Sequence, residues 1–121
     1  MLFVQKNNKL VLAMDNKQAL TLLDAEGYLL DLDLWSEDLA LTLARIDQFE
    51  LTPAHWEVIS IIREFYQEYQ LSPAMRPLVK AMSNKYGKEK GKSMYLMKLF
   101  SQSPPKQAAR YAGLPKPLNC L

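Results

Sequence analysis

The apolar and polar positions divide the 121-residue chain into two stretches of different rhythm. Up to about residue 34, apolar residues come in short runs broken by turn formers. Phe3-Val4 and Leu10-Val11-Leu12 flank Asn7-Asn8, and Asp24-Ala25-Glu26-Gly27 precedes Tyr28-Leu29-Leu30. An asparagine pair and an Asp-to-Gly stretch between apolar runs are hairpin signals. The stretch 16–23 fits helix or strand and is grouped with the small sheet or hairpin.

From Trp35 onward the rhythm is helical. Ser36 is a helix cap, Glu37 and Asp38 suit the positive end of the helix dipole, and Leu39, Leu43 and Ile46 follow at helical spacing. Thr52 with Pro53 predicts the next start, and Val58, Ile61, Ile62, Phe65 and Tyr69 form its apolar stripe. Ser72-Pro73 reads as the same device, leading into Met75, Leu78, Val79, Met82 and Tyr86 and stopped by Gly87. Lys80 and Lys85 suit that helix's C-terminal end. A fourth helix is expected over 93–100. A short fifth opens at Ser103-Pro104-Pro105, runs through Tyr111 and ends at Gly113. The expected fold is therefore α+β, mostly α. A small N-terminal β-hairpin packs on a bundle of about five helices, and a flexible C-terminal arm follows. Residues 1–112 make one domain, with a hairpin region at 1–34 and a helical body at 35–112. Residues 113–121 make the mobile arm.

Composition changes this picture little. Hydrophobic residues make up 49% and charged residues 23%, ordinary values for a soluble single domain. No apolar run is long enough to span a bilayer, and the start lacks the basic and apolar segments of a signal peptide. A cytoplasmic protein with no membrane partner is the expectation. Charge changes the picture more. Residues 1–75 hold 5 Lys/Arg and 12 Asp/Glu, whereas residues 76–121 hold the other 10 Lys/Arg and only Glu89. The halves thus carry −7 and +9 within a net +2. Two readings stand open: an anionic partner (RNA or an acidic protein surface), or two halves that attract one another within the fold.

The candidate chemistry lies in the tail, Gly113-Leu114-Pro115-Lys116-Pro117-Leu118-Asn119-Cys120-Leu121, which carries the only cysteine. One thiol makes no internal disulfide and excludes thioredoxin-like reduction, which needs two. Its place also excludes a prenylation box. Pro115 and Pro117 lack amide donors and bias their predecessors to extended geometry, so the arm is semi-stiff. From Gly113 to Cys120 it spans at most roughly 20–25 Å. A single thiol on such an arm suits entry into another protein's active site. A thiolate that takes up a sulfane sulfur becomes a persulfide, and the next thiolate attacks the outer sulfur as in disulfide exchange. The Leu121 carboxylate opposes the thiolate, and Lys116, with Arg110 or Lys106 if the arm folds back, offsets that.

Other constellations are weaker. His55, the only histidine, sits in the first turn of the Thr52-Pro53 helix and reads as a capping or packing residue rather than a general base. A lone His and a lone Cys make a poor metal set, and the four glycines form no phosphate loop, so no cofactor is expected. The helix pair 52–69 and 72–86, with Arg76, Lys80 and Lys85 on its second member, leaves open a helix-turn-helix nucleic-acid-binding regulator.

Ala112-Gly113-Leu114-Pro115-Lys116-Pro117 through Cys120 resembles the C-terminal arm of the DsrC/TusE family of sulfur-carrier proteins. Glu26-Gly27-Tyr28-Leu29, Trp35-Ser36-Glu37, Pro53-Ala54-His55-Trp56-Glu57, Ser72-Pro73-Ala74 with Arg76, and Leu78-Val79-Lys80-Ala81-Met82 resemble it too. The likeness runs from about Asp24 to the end, and the first 20 or so residues exceed the usual family start. The resemblance implies a hairpin on a helical body with a flexible arm, and Cys120 as the persulfide-carrying cysteine. Members with a second arm cysteine, eleven residues earlier, act in a trisulfide cycle with dissimilatory sulfite reductase. That position here is Ala109. The chain therefore resembles the single-cysteine TusE branch, which takes sulfur from a TusBCD-like donor complex and supplies the thiouridylase that makes 2-thiouridine in tRNA. A DsrC-like role in sulfur oxidation or sulfite reduction is the alternative within the family.

Overall fold

The computed structural model describes residues 14–118 in full and, for 3–6 and 9–12, the backbone. Strand β1 (Phe3–Lys6) pairs antiparallel with β2 (Lys9–Leu12), Phe3 opposite Leu12 and Lys6 opposite Lys9. The Asn7-Asn8 turn and the packing of the hairpin side chains lie outside the described residues. Six helices follow: α1 (Asn16–Thr21), α2 (Glu37–Ile46), α3 (Pro53–Tyr69), α4 (Met75–Tyr86), α5 (Ser93–Leu99) and α6 (Pro104–Ala112).

The first of these corrects the sequence reading, which had grouped 16–23 with sheet. Asp15 caps α1 by accepting from the Lys17 amide at 3.0 Å, and Ala19 is buried where α1 packs on α2. A cap and one contact face outweigh the surrounding turn residues. The turn signal at 24–27 is realised as a tight turn. Asp24 Oδ1 accepts from the amides of Glu26 and Tyr28 at 2.9 and 3.0 Å, and Gly27 takes a φ of +93°. Only one antiparallel bridge, Leu23 with Leu29, closes it, and no strand forms among residues 14–118.

The remaining helices follow their caps. Ser36 Oγ accepts from the Leu39 amide at 3.0 Å, with Glu37 and Asp38 in the first turn of α2. Thr52 and Pro53 open α3, which ends where Gln70 turns left-handed at a φ of +60°. The α3 stripe is buried only through Ile62. Phe65 is half-buried and Tyr69 exposed, so the stripe emerges onto a groove beside α4. Helix α4 begins at Met75 with Ala74 at its cap, not at Ser72-Pro73 as the repeated motif implied.

Helix α6 is the hub, packed on α2, α3, α4 and α5. Ala108, Ala109, Tyr111 and Ala112 have no exposed surface. Three alanines on one short helix let neighbouring backbones come close, and Leu39, Leu43, Ile59, Ile62, Leu78 and Leu96 close around them. Each such fully buried aliphatic side chain contributes about 1.5–3 kcal/mol. The body is thus built around the helix from which the arm departs.

Candidate functional site: the root of the arm

A helix leaves its last carbonyls without intrahelical partners. At the end of α6 two of them find side chains distant in sequence. Trp35 Nε1 donates to the Tyr111 carbonyl at 2.8 Å, and Arg63 Nη1 donates to the Ala112 carbonyl at 2.6 Å. The Arg63 guanidinium also lies 3.7 Å from the centre of the Trp35 ring. Partial burial lowers the Arg63 pKa below its ordinary value, and a cation at a helix C-terminus is favoured by the dipole. Gly113 then turns left-handed at a φ of +70°, and the Leu114 amide returns to the Ala109 carbonyl at 3.0 Å.

Beyond the turn the chain is extended and lies on the body. Leu114 and Pro117 are buried, while Pro115, Lys116 and Leu118 are exposed. Ser72 Oγ donates to the Pro115 carbonyl at 2.6 Å. The serine read as a helix cap therefore holds the arm instead. Ser72 is buried against the arm and lies three residues before the first residue of α4. Lys116 Nζ pairs with Glu26 Oε2 at 2.6 Å, and this partner raises the lysine pKa. Cys120 lies outside the described residues.

The other expected support residues are placed as follows. Arg110 grips Asp47 with two parallel hydrogen bonds of 2.9 and 3.0 Å, and its Nη1 donates to the Gly27 carbonyl at 2.7 Å. Its donors are thus turned to the body. Tyr111 OH donates to the same Asp47 at 2.8 Å, and burial, chiefly, holds the phenol well above its ordinary pKa. Half-buried Lys106 lines the same cleft, of about 400 Å³, together with Glu26, Asp47, Arg110 and Tyr111.

His55 is a structural residue. Its Nδ1 accepts from the Thr52 amide at 2.9 Å, and Nε2 lies 2.7 Å from the Leu99 carbonyl. Those bonds fix the proton on Nε2. The ring also stands edge-on to Phe49 and Phe100, at 5.0 and 5.1 Å between centroids. No nitrogen is left to serve as a base for a thiol.

The charge asymmetry resolves in favour of internal attraction for four of the ten C-terminal cations. Lys85, Lys90, Arg110 and Lys116 pair with Glu64, Glu57, Asp47 and Glu26 of the acidic half. Exposed Arg76, Lys80, Lys88 and Lys98 have no ion pair among the described residues. Glu64 and Glu68 line the groove beside α4, where they would repel the phosphates a recognition helix needs.

Sequence reasoning missed Ser72, Glu26, Trp35 and Arg63 as arm-root residues. Trp35, Glu26 and Ser72 lie in motifs already noted, yet a motif does not say which residues meet.

The model of the DsrC-like protein family matches residues 15–121. Sulfurtransferase TusE of Pectobacterium atrosepticum is 57% identical over 98 residues, covering 81% of this chain and 90% of that protein. Sulfurtransferase TusE of Escherichia coli K12 is 53% identical with the same coverage. The NMR structure of Allochromatium vinosum DsrC superposes with a TM-score of 0.74 at 44% identity, covering 98% of this chain and 97% of that one. With the match spanning nearly every described residue of the body and the arm that α6 launches, the chain belongs to the DsrC-like family.

Proposed function

We propose that this protein is a TusE-type sulfurtransferase that acts as a sulfur carrier. It accepts a sulfane sulfur on Cys120 from a TusBCD-like donor complex and delivers it to a tRNA 2-thiouridylase. Its similarity to proteins named Sulfurtransferase TusE supports the reaction class. The observation that carries the reading is the arm itself. It leaves a rigid, buried helix, is extended through Pro115 and Pro117, and bears the chain's only thiol three residues later.

The transfer balances without an added oxidant or reductant. The Cys120 thiolate attacks the outer sulfur of a donor cysteine persulfide. That sulfur's bond to the donor breaks, the donor leaves as thiolate, and Cys120 becomes the persulfide. The acceptor's thiolate repeats the attack and Cys120 leaves as thiolate. Ala109 argues for this exchange over a DsrC-like cycle in sulfite reduction or sulfur oxidation. It is fully buried in α6 and has no sulfur with which Cys120 could close an arm disulfide.

Incubation with a persulfidated donor should add one sulfur to the tail peptide of the wild type and none to Cys120→Ser, which should remain folded. Absence of that sulfur, or its equal presence on the serine variant, would reject the carrier.

A further inference from the structure

We infer that Ser72 and Glu26 are positioning residues for sulfur transfer, forming a latch that holds the arm on the body and sets how far Cys120 reaches; this rests on the carrier reading above. Pro115 and Pro117 have no amide hydrogen, so of residues 115–117 only Lys116 has a backbone amide to donate. Among the described residues, the arm's side-chain attachments beyond Leu114 are Ser72 Oγ to the Pro115 carbonyl and Lys116 to Glu26. Buried Leu114 and Pro117 supply the apolar part.

Neither latch residue has another evident task. Ser72 does not cap α4, whose N-cap is Ala74 without a side-chain bond, and its buried hydroxyl has Pro115 as its partner among the described residues. Glu26 is held in place by a turn whose amides bond to Asp24, not to Glu26 itself, so its carboxylate is presented to the arm without being needed to build the turn.

The latch divides the arm's reach into two regimes. With Pro117 seated, Cys120 is three residues beyond an anchored position, and chain length keeps it within about 10 Å of Pro117. With the latch open, the arm pivots beyond Leu114, six residues before Cys120, and the thiol reaches roughly 20 Å from there. The accessible volume then grows on the order of tenfold, and the effective concentration of thiol near the arm root falls accordingly. Latched, the thiol is concentrated beside the body; open, it can enter a partner's site.

The test uses the full chain with a nitroxide attached to Cys120. In the wild type, paramagnetic broadening should be strong at the amides of 24–28 and 71–74. In a Ser72→Ala, Glu26→Gln double variant it should weaken at both segments, with a sharper nitroxide spectrum and an unchanged fold by circular dichroism. Ser72→Thr, which keeps the hydroxyl, should retain the broadening at 71–74. The unlabelled double variant should take sulfur from glutathione persulfide at the wild-type rate. Its rate from a persulfidated TusBCD-type complex should change by up to about tenfold. If either the broadening or the protein-donor rate of the double variant equals that of wild type, the latch is rejected. A wild type that loads sulfur from neither donor instead rejects the carrier reading, and the broadening still judges the contact itself.

Discussion

The indole of Trp35 fills the space that a side chain at Gly113 would need: a Cβ there would lie 2.3 Å from Trp35 Cδ1. The same indole donates to the Tyr111 carbonyl, so it cannot withdraw without uncapping α6. Gly113 also has a φ of +70°, where an L side chain is strained. Gly113→Ala should therefore destabilise the body by about 2–4 kcal/mol, combining backbone strain with a displaced Trp35. Urea unfolding followed by tryptophan fluorescence measures this. A loss under about 1 kcal/mol would show that the tight contact yields easily.

His55→Ala should cost stability rather than chemistry. It removes the ring's bonds to Thr52 and Leu99 and two edge-on aromatic contacts, for a loss of about 2–4 kcal/mol. At a temperature where the variant is folded, its rate of sulfur uptake should match wild type. A selective loss of uptake in a stably folded variant would return His55 to the chemistry.

Tyr111 predicts an alkaline effect. Burial raises its folded-state pKa above the ordinary 10.0, so it contributes stability in full below about pH 10. As pH rises further, the unfolded chain ionises while the folded phenol does not, and that contribution is lost toward the folded pKa. Tyr111→Phe should lower stability at neutral pH by about 1–3 kcal/mol, the worth of a hydrogen bond to a carboxylate. It should also flatten the decline above pH 10. Urea midpoints across that range for both proteins check it; parallel curves would contradict it.

The exposed cations with no ion pair among the described residues should serve association. Arg76→Glu with Lys80→Glu should leave the melting temperature unchanged, because both side chains are exposed and lie outside the observed pairs. It should slow docking to an acidic donor surface and weaken the salt dependence of the rate. Stopped-flow binding at two ionic strengths decides this, and an unaltered salt slope would exclude these two residues from the docking face.

The helical body was legible because its signals are local. Ser36, Thr52-Pro53 and Gly113 act on amides and carbonyls within a few residues, and apolar spacing marks the buried faces of α2, α4 and the first part of α3. Where local signals competed, reading failed. The stretch 16–23 sits among turn formers, and its Asp15 cap decided for helix. Ser72-Pro73 copies the Thr52-Pro53 device, but α4 starts later and the hydroxyl turns to the arm.

By itself the sequence determined that the chain has a single thiol and none to pair with it, since both facts are matters of residue type: Cys120 present, Ala109 not cysteine. It also determined that Pro115 and Pro117 would keep the arm from continuing as helix. The tertiary structure decided what that arm touches and which charges are spent inside the molecule. Ser72 meets Pro115 across 43 residues, and Glu26 meets Lys116 across 90. Such pairings depend on how α6 is placed among α2, α3, α4 and α5, a product of the whole core that no short stretch of chain encodes.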